Sequence, residues 1–216
     1  MHRYVRKPCF SWFLRVVTGV AIGFPDRVRR GEQLKPYPIQ SWPGQSGRTA
    51  NKVPTLVGYK AADFRAPRWG FGCLSRDLDP NTRVCSLFKF LLDNENLKIL
   101  NKSKPKGQEE GMENVTQWFT DFLTGLYNHI IDYLAKYSHV DWEKAKVQYI
   151  FGLPTSWENN DELVKEFRNI VDKAGFGSDE NSSVTMGLTE GVASAVYTAK
   201  RANYDFRVSS TAPVGS

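Results

Sequence analysis

The sequence contains no run of about 18 apolar residues, the length a helix needs to cross a bilayer, so no membrane-spanning helix is expected. Cysteine is scarce: Cys9, Cys73 and Cys85 are the three present, with no CxxC pair and no His/Cys cluster. An odd count without paired spacing argues against both a disulfide framework and a structural zinc site, and it fits a reducing compartment. Outside a basic cluster between His2 and Arg30, runs of Lys and Arg are missing. Zinc-ligand spacing and an aromatic RNA-binding signature are missing too. The formal charge of +6 is therefore spread surface charge, and no nucleic-acid partner is expected. No internal repeat is visible.

What is present is a chain of 216 residues, 41% hydrophobic with thirteen phenylalanines, enough to bury one substantial core in one or two lobes. Met1 to Val28 carries Arg3, Arg6, Lys7, Arg15 and Arg27 against Asp26 alone among the acidic residues. That composition permits a mitochondrial presequence, but a leader on a cytosolic protein is the preferred reading. Cytoplasmic residence is expected, with the mitochondrion as the alternative.

The first third of the chain reads as strands and turns. Thr18 to Phe24 is a short apolar run, Pro36 to Gly44 is broken by three prolines, and Val53 to Tyr59 is rich in β-formers. Pro43-Gly44 and Ser46-Gly47 supply turn chemistry. Val84, Leu87, Phe88, Leu91 and Leu92 share one face of a helix expected over Val84–Leu92, with Lys89 at its edge. Asn101 to Gly111 is charged and reads as a solvated loop. Val115, Trp118, Phe119, Phe122, Leu126, Ile130, Tyr133, Leu134 and Tyr137 then recur at helical spacing, with Asn114 and Gln117 placed as a capping pair.

Lys146 to Leu153 reads as a strand, followed by a helix that begins near Asn160 or Asp161, buries Leu163, Val164, Phe167, Ile170, Val171 and Ala174, and stops at Gly175. Ser183 to Leu188 is a further strand, and Glu190 to Arg201 an Ala-rich helix. Helix, strand, helix, strand, helix implies a sheet with helices packed on it, hence an α/β fold. His129 in the long helix and His139 in the loop after it, two residues from Asp141, read as surface or boundary histidines, because no nucleophile accompanies them. Trp118, Trp142 and Trp157 read as core or core-edge residues.

Three linked segments carry a resemblance: Tyr149–Trp157 (YIFGLPTSW), Phe167–Gly177 (FRNIVDKAGFG) and Leu188–Ala195 (LTEGVASA). Their order and content resemble the divergent 70-kDa heat-shock proteins of the filamentous fungi, whose ATPase domain is actin-like. Upstream, Ile39–Gly44 with Lys52–Thr55 is similar to that family's early strands. Arg68–Gly70 is similar to its next strand, and Ser86–Asp93 to the segment bearing its catalytic lysine. The likeness spans Thr18 to Tyr204. It divides the sequence into a basic leader (1–17), a partial actin-like ATPase domain (18–204) and a polar tail (205–216). The fold it implies is α/β and ribonuclease H-like, first lobe only, with a mixed sheet and packed helices, truncated at both ends relative to the family.

The resemblance assigns roles by position. Lys89 matches the lysine that approaches the γ-phosphate, and Glu190 the glutamate that contacts Mg2+ through water. Read without the family, Lys89 is a helix-edge lysine and Glu190 a helix cap. Pro154 matches the proline that couples the lobes, although its arginine partner is replaced by the acidic Asp161 or Glu162. Thr18 and Gly19 fit the tail of the first phosphate-binding hairpin, but Trp12 and Leu14 stand at its aspartate and glycine positions and Arg15 and Val16 replace its paired threonines. The second hairpin, due shortly after Tyr204, is not in the sequence. ATP and Mg2+ are thus the cofactors implied, with turnover expected to be deficient. The alternative is a non-enzymatic module, or a truncated product, pairing with a protein partner or itself through an exposed inter-lobe face.

Overall fold

Prolines and glycines among β-formers cut the first half of the chain into short strands. The computed structural model describes residues 17–24, 36–47, 49–60, 63–137 and 144–192. The chain divides into two units, Met1–His129 and Ile130–Ser216, with the boundary inside a long helix.

The first unit opens with β1 (Val17–Thr18), β2 (Ala21–Ile22), β3 (Tyr37–Pro38) and β4 (Val53–Pro54). β1 pairs antiparallel with β4, and β2 with β3. Pro43 and Gly44 form the centre of a turn closed by the Gln45 amide on the Trp42 carbonyl at 3.2 Å. Next comes an antiparallel sheet of β5 (Leu56–Lys60), β6 (Asp63–Trp69) and β7 (Arg83–Ser86), with β5 in the middle. The β-rich stretch expected over Val53–Tyr59 is therefore present as β4 and β5.

The helix expected over Val84–Leu92 needs correction. Its first half is β7, in register with β5 as Val57 opposite Cys85 and Leu56 opposite Ser86, and only α1 (Phe88–Leu91) is helical. The apolar spacing suits either conformation, and the neighbouring edge of β5 decides for strand. Leu87 joins the two at φ 62°, a left-handed conformation that costs a non-glycine residue about 1–2 kcal/mol. α2 (Asn94–Lys102) follows, started by the Asp93 carboxylate accepting from the Glu95 amide at 2.8 Å. No helix was expected there, because three asparagines and two lysines surround a single buried residue, Leu97.

α3 (Met112–Tyr137) is the long helix expected, begun earlier than its supposed cap. Asn114 lies inside the first turn and donates its amide to Glu110 at 3.3 Å, so the Asn114 and Gln117 capping pair is not formed. Within the first unit α3 buries Val115, Trp118, Phe119, Phe122 and Leu126. The Phe88 ring lies 5.3 Å from Phe119 and 5.6 Å from Phe122, and Trp69 meets Phe122 edge-on at 5.9 Å. Each fully buried phenylalanine contributes about 1.5–3 kcal/mol. Gly125 makes the Trp69 contact possible, since a Cβ there would stand 2.7 Å from the indole.

The second unit is built on a strand, helix, strand unit. β8 (Val147–Leu153) and β9 (Ser182–Thr189) run parallel, with α4 (Asp161–Lys173) between them in sequence. Asn160 caps α4, its side-chain oxygen accepting from the Leu163 amide at 3.0 Å, and Asp161 and Glu162 sit in the first turn where the helix dipole favours anions. After Lys173 the chain leaves the helix through Ala174 to Gly175 at φ 103°. Phe151 packs edge-on against Phe167 at 5.7 Å and Phe176 at 5.0 Å, while Trp157 covers Phe167 at 5.3 Å. The opposite face of the pair holds Gln148 and Thr185, hydrogen-bonded at 3.1 Å, and Ile150 at 66% exposure. Trp118 and Trp157 are core residues as expected; Trp142 and His139 lie outside the described residues.

The fold is thus mixed α/β, with small sheets and packed helices. No helix among the described residues is long and apolar enough to cross a membrane. The helix expected over Glu190–Arg201 begins at Glu190 and is described as far as Val192.

Candidate functional site

Parallel strands present their carboxyl ends at one edge, the place where open α/β sheets gather ligand-binding loops. In the second unit, that edge follows the pairing of Leu153 with Thr189. Pro154 leads from β8 into a single 3-10 turn, Thr155–Trp157, anchored by Trp157, which is only 2% exposed. The Thr155 hydroxyl accepts a hydrogen bond from the Gly191 amide at 3.2 Å, and the Thr189 hydroxyl accepts one from the Val192 amide at 3.4 Å. A Cβ at Gly191 would stand 3.1 Å from Thr155 Oγ1, so glycine lets the two backbones close. Pro154 and Glu190 are thereby brought to one edge, with Glu190 exposed to solvent.

Thr18, Gly19 and Lys89 belong to the first unit. The Thr18 hydroxyl is bonded to that of Thr55 at 2.9 Å, and Thr55 is 2% exposed. A Cβ added to Gly19 would lie 3.4 Å from the Asn51 carbonyl oxygen and 3.5 Å from the Lys52 side chain, both ordinary contacts. Lys89 sits half-buried on the single turn of α1. Trp12, Leu14 and Arg15 lie outside the described residues.

Within the first unit, Thr18 and Gly19 already have partners in the protein. A phosphate-binding hairpin must turn backbone amides and a free hydroxyl toward the anion. Here the Thr18 hydroxyl is hydrogen-bonded to that of Thr55, and a carbonyl acceptor stands beside Gly19. Among the described residues no group of three His, Cys, Asp or Glu side chains could hold a metal ion. A concavity of about 300 Å³ does exist, lined by Lys146, Gln148, Glu180, Asn181 and Ser183, but it opens at the amino ends of β8 and β9. Pro154 and Glu190 sit at the other end.

Two polar clusters in the first unit escaped the sequence reading. In one, the Tyr59 hydroxyl donates to Asp121 at 2.6 Å, and Gln117 donates to the other carboxylate oxygen at 2.9 Å. In the second, Glu110 Oε1 accepts from Arg83 at 2.6 Å and from Lys104 at 2.5 Å. The Asn101 side chain brackets the Glu110 backbone, donating to its carbonyl and accepting from its amide, each at 2.9 Å. Glu110, with 9% of its side chain exposed, corrects the expectation of a fully solvated loop over Asn101–Gly111. Burial pushes its carboxyl up, but the bonds from Lys104 and Arg83 outweigh that and leave it below the ordinary range. A lysine six residues before a glutamate gives no periodic signal, so only the fold reveals this pair.

Nucleophilic chemistry has no support at the two described thiols. Burial raises Cys73 to about 12 and Cys85 to about 11, which keeps both protonated and inert at neutral pH. The His129 ring meets the Ser41 carbonyl at 2.8 Å and packs against Trp42 and Trp69, in keeping with a boundary histidine. No family model matches the chain, and neither a curated protein nor a solved structure matches it significantly.

Proposed function

We propose that this chain is the first lobe of a ribonuclease H-like, actin-like ATPase of the 70-kDa heat-shock type, keeping part of the ATP scaffold but deficient in turnover. The observation that supports this reading is the carboxyl edge of the parallel pair, where Thr155 and Gly191, the residues after Pro154 and Glu190, are hydrogen-bonded. That edge joins two motif segments chosen from sequence alone. In an intact relative, ATP with Mg2+ supplies a γ-phosphate for transfer to water. In this chain the Thr18 hydroxyl is bonded to Thr55 and a carbonyl oxygen lies beside Gly19, which supports deficient turnover, and no step is assigned to Lys89. The buried free thiols Cys73 and Cys85 suit a reducing compartment, which in this reading is the cytoplasm.

Calorimetry of Mg·ATP on the purified chain, with thermal unfolding alongside, tests the deficiency: no saturable heat and no rise in melting temperature are expected, since a ligand that prefers the native state must stabilise it. Saturable binding overturns it. The fold assignment is tested separately by backbone NMR: it expects a larger mixed sheet, whereas among the described residues β8 pairs with β9 alone, so further strands must join the pair in solution. An isolated pair in solution overturns it.

A second reading, a non-enzymatic interaction module, draws on the outward face of β8 and β9. Parallel strands ordinarily have both faces covered, yet Ile150 is 66% exposed here. Concentration-dependent sedimentation that Ile150→Lys abolishes would favour self-association over nucleotide binding.

A further inference from the structure

The segment from Ser103 to Gly111 lacks any apolar side chain except Pro105, so nothing hydrophobic holds it down. Its attachment is polar and centres on Glu110, whose backbone is bracketed by the Asn101 side chain at 2.9 Å on both sides. The Glu110 carboxylate reaches Arg83 on β7 at 2.6 Å, Lys104 within the segment at 2.5 Å and Asn114 on α3 at 3.3 Å. The Arg83 guanidinium in turn lies 5.2 Å over the Trp118 ring of α3. Glu110 therefore bridges β7 and α3.

Cys85 lies two residues along β7 from Arg83, the strand end of this bridge. It stands opposite Val57 as Arg83 stands opposite Tyr59, so by strand alternation Cys85, Arg83, Val57 and Tyr59 share one face of the sheet. Cys85 is 5% exposed. Its thiol feels the charges of Arg83, Glu110 and Lys104, and across the sheet it neighbours Tyr59, which is bonded to Asp121 of α3. Cys73 is placed differently: its thiol donates to the Arg68 carbonyl at 3.3 Å and lies against Gly58, whose side of β5 faces away from Val57 and Tyr59.

We propose that residues 103–111 form a releasable strap, closed over the seam between β7 and α3 by the Glu110 clamp on Arg83 and Lys104, and that loss of this clamp opens Cys85 while the remainder of the unit stays folded. Segments with few apolar contacts open at free energies far below global unfolding. Release also makes Cys85 more reactive on two counts, since exposure admits reagents and removes the burial that suppresses the thiolate.

The test uses the full chain with Cys9→Ser, which leaves Cys85 as the strap reporter and Cys73 as the reporter of global unfolding. Each thiol is followed by timed alkylation with iodoacetamide and peptide mass spectrometry. Glu110→Gln should raise the Cys85 rate about tenfold or more relative to Cys73, as expected for losing charge-assisted hydrogen bonds. Glu109→Gln, which alters a neighbouring carboxylate bonded to the Gly107 amide, should leave the ratio unchanged. An unchanged Cys85 rate in a folded Glu110→Gln protein overturns the proposal, as does an equal rise at both cysteines. Should that variant fail to fold, the Cys9→Ser chain is alkylated across sub-denaturing urea. A shallower urea dependence for Cys85 than for Cys73 supports the strap, and identical dependence overturns it.

Discussion

Tyr59 of β5 donates its hydroxyl to the Asp121 carboxylate of α3 at 2.6 Å, tying together residues 62 apart in the chain. Tyr59 is 8% exposed, and burial together with that carboxylate pushes its hydroxyl well above the usual tyrosine range. Replacing Tyr59 by Phe keeps the ring and strands one oxygen of Asp121. A hydrogen bond to a charged group contributes about 1.5–3 kcal/mol, so the urea midpoint should fall by that equivalent at constant m-value. A loss below about 0.5 kcal/mol would show that water replaces the hydroxyl.

The same burial sets the alkaline limit of stability. Cys85 and Cys73 rise from 9.0 to about 11 and about 12, and Tyr59 rises from 10.0. A group whose folded pKa is raised contributes fully below its unfolded pKa and is lost as pH climbs through the folded one. Thermal midpoints should therefore decline from pH 9.0 upward, with Tyr59 adding to the loss above 10.0. Glu110 works in the other direction: its carboxyl is held below the ordinary 4.5, so its contribution is present above that value and disappears as pH falls beneath it. A midpoint that is flat from pH 9.0 to about 11 contradicts the thiol burial.

Gly44 and Gly47 make a matched pair. Both have positive φ, 74° and 69°, but a Cβ on Gly44 would lie 2.7 Å from the Gly72 backbone nitrogen, whereas Gly47 faces open space. Gly44→Ala should cost about 1–3 kcal/mol more than Gly47→Ala, measured by denaturant unfolding. Equal losses would mean that φ alone, and not the contact with Gly72, governs the turn.

Asn160→Ala removes the acceptor that holds the Leu163 amide at 3.0 Å. A helix of this kind loses about 0.5–2 kcal/mol with its cap. Alanine at the exposed neighbour Asn159 should change almost nothing, and if the two variants unfold alike the capping role is wrong.

The second unit was the more legible part of the sequence. Strand β8, the Asn160 cap, the apolar spacing from Leu163 to Val171 and the stop at Gly175 are local signals, and each occurs where the residues put it. Around β7 locality failed. Val84, Leu87, Phe88 and Leu91 satisfy a helical period, but the β5 edge at Leu56–Tyr59 claims the first half. α2 was hidden because its single buried side chain, Leu97, leaves no period to detect. The candidate positions Lys89, Glu190, Thr18, Gly19 and Pro154 came from family likeness; the structure bonds Thr155 to Gly191 and Thr18 to Thr55. Glu110 and Asp121 were invisible for another reason: their partners Arg83 and Tyr59 lie in other elements, and only tertiary packing selects one carboxylate among many.

The bond between His129 and the Ser41 carbonyl spans 88 residues of chain. During synthesis at about 5–20 residues per second, the neighbourhood of Trp42 therefore waits roughly 4–18 seconds for its covering residue to be made. The early strands emerge long before α3 can close on them, with Ile39 and Trp42, buried at 0% and 4% in the finished fold, still uncovered. β8 and β9, joined through the local helix α4, face a much shorter delay. A nascent chain of this protein thus presents Ile39 and Trp42 before α3, whose His129 bonds the Ser41 carbonyl, has been made.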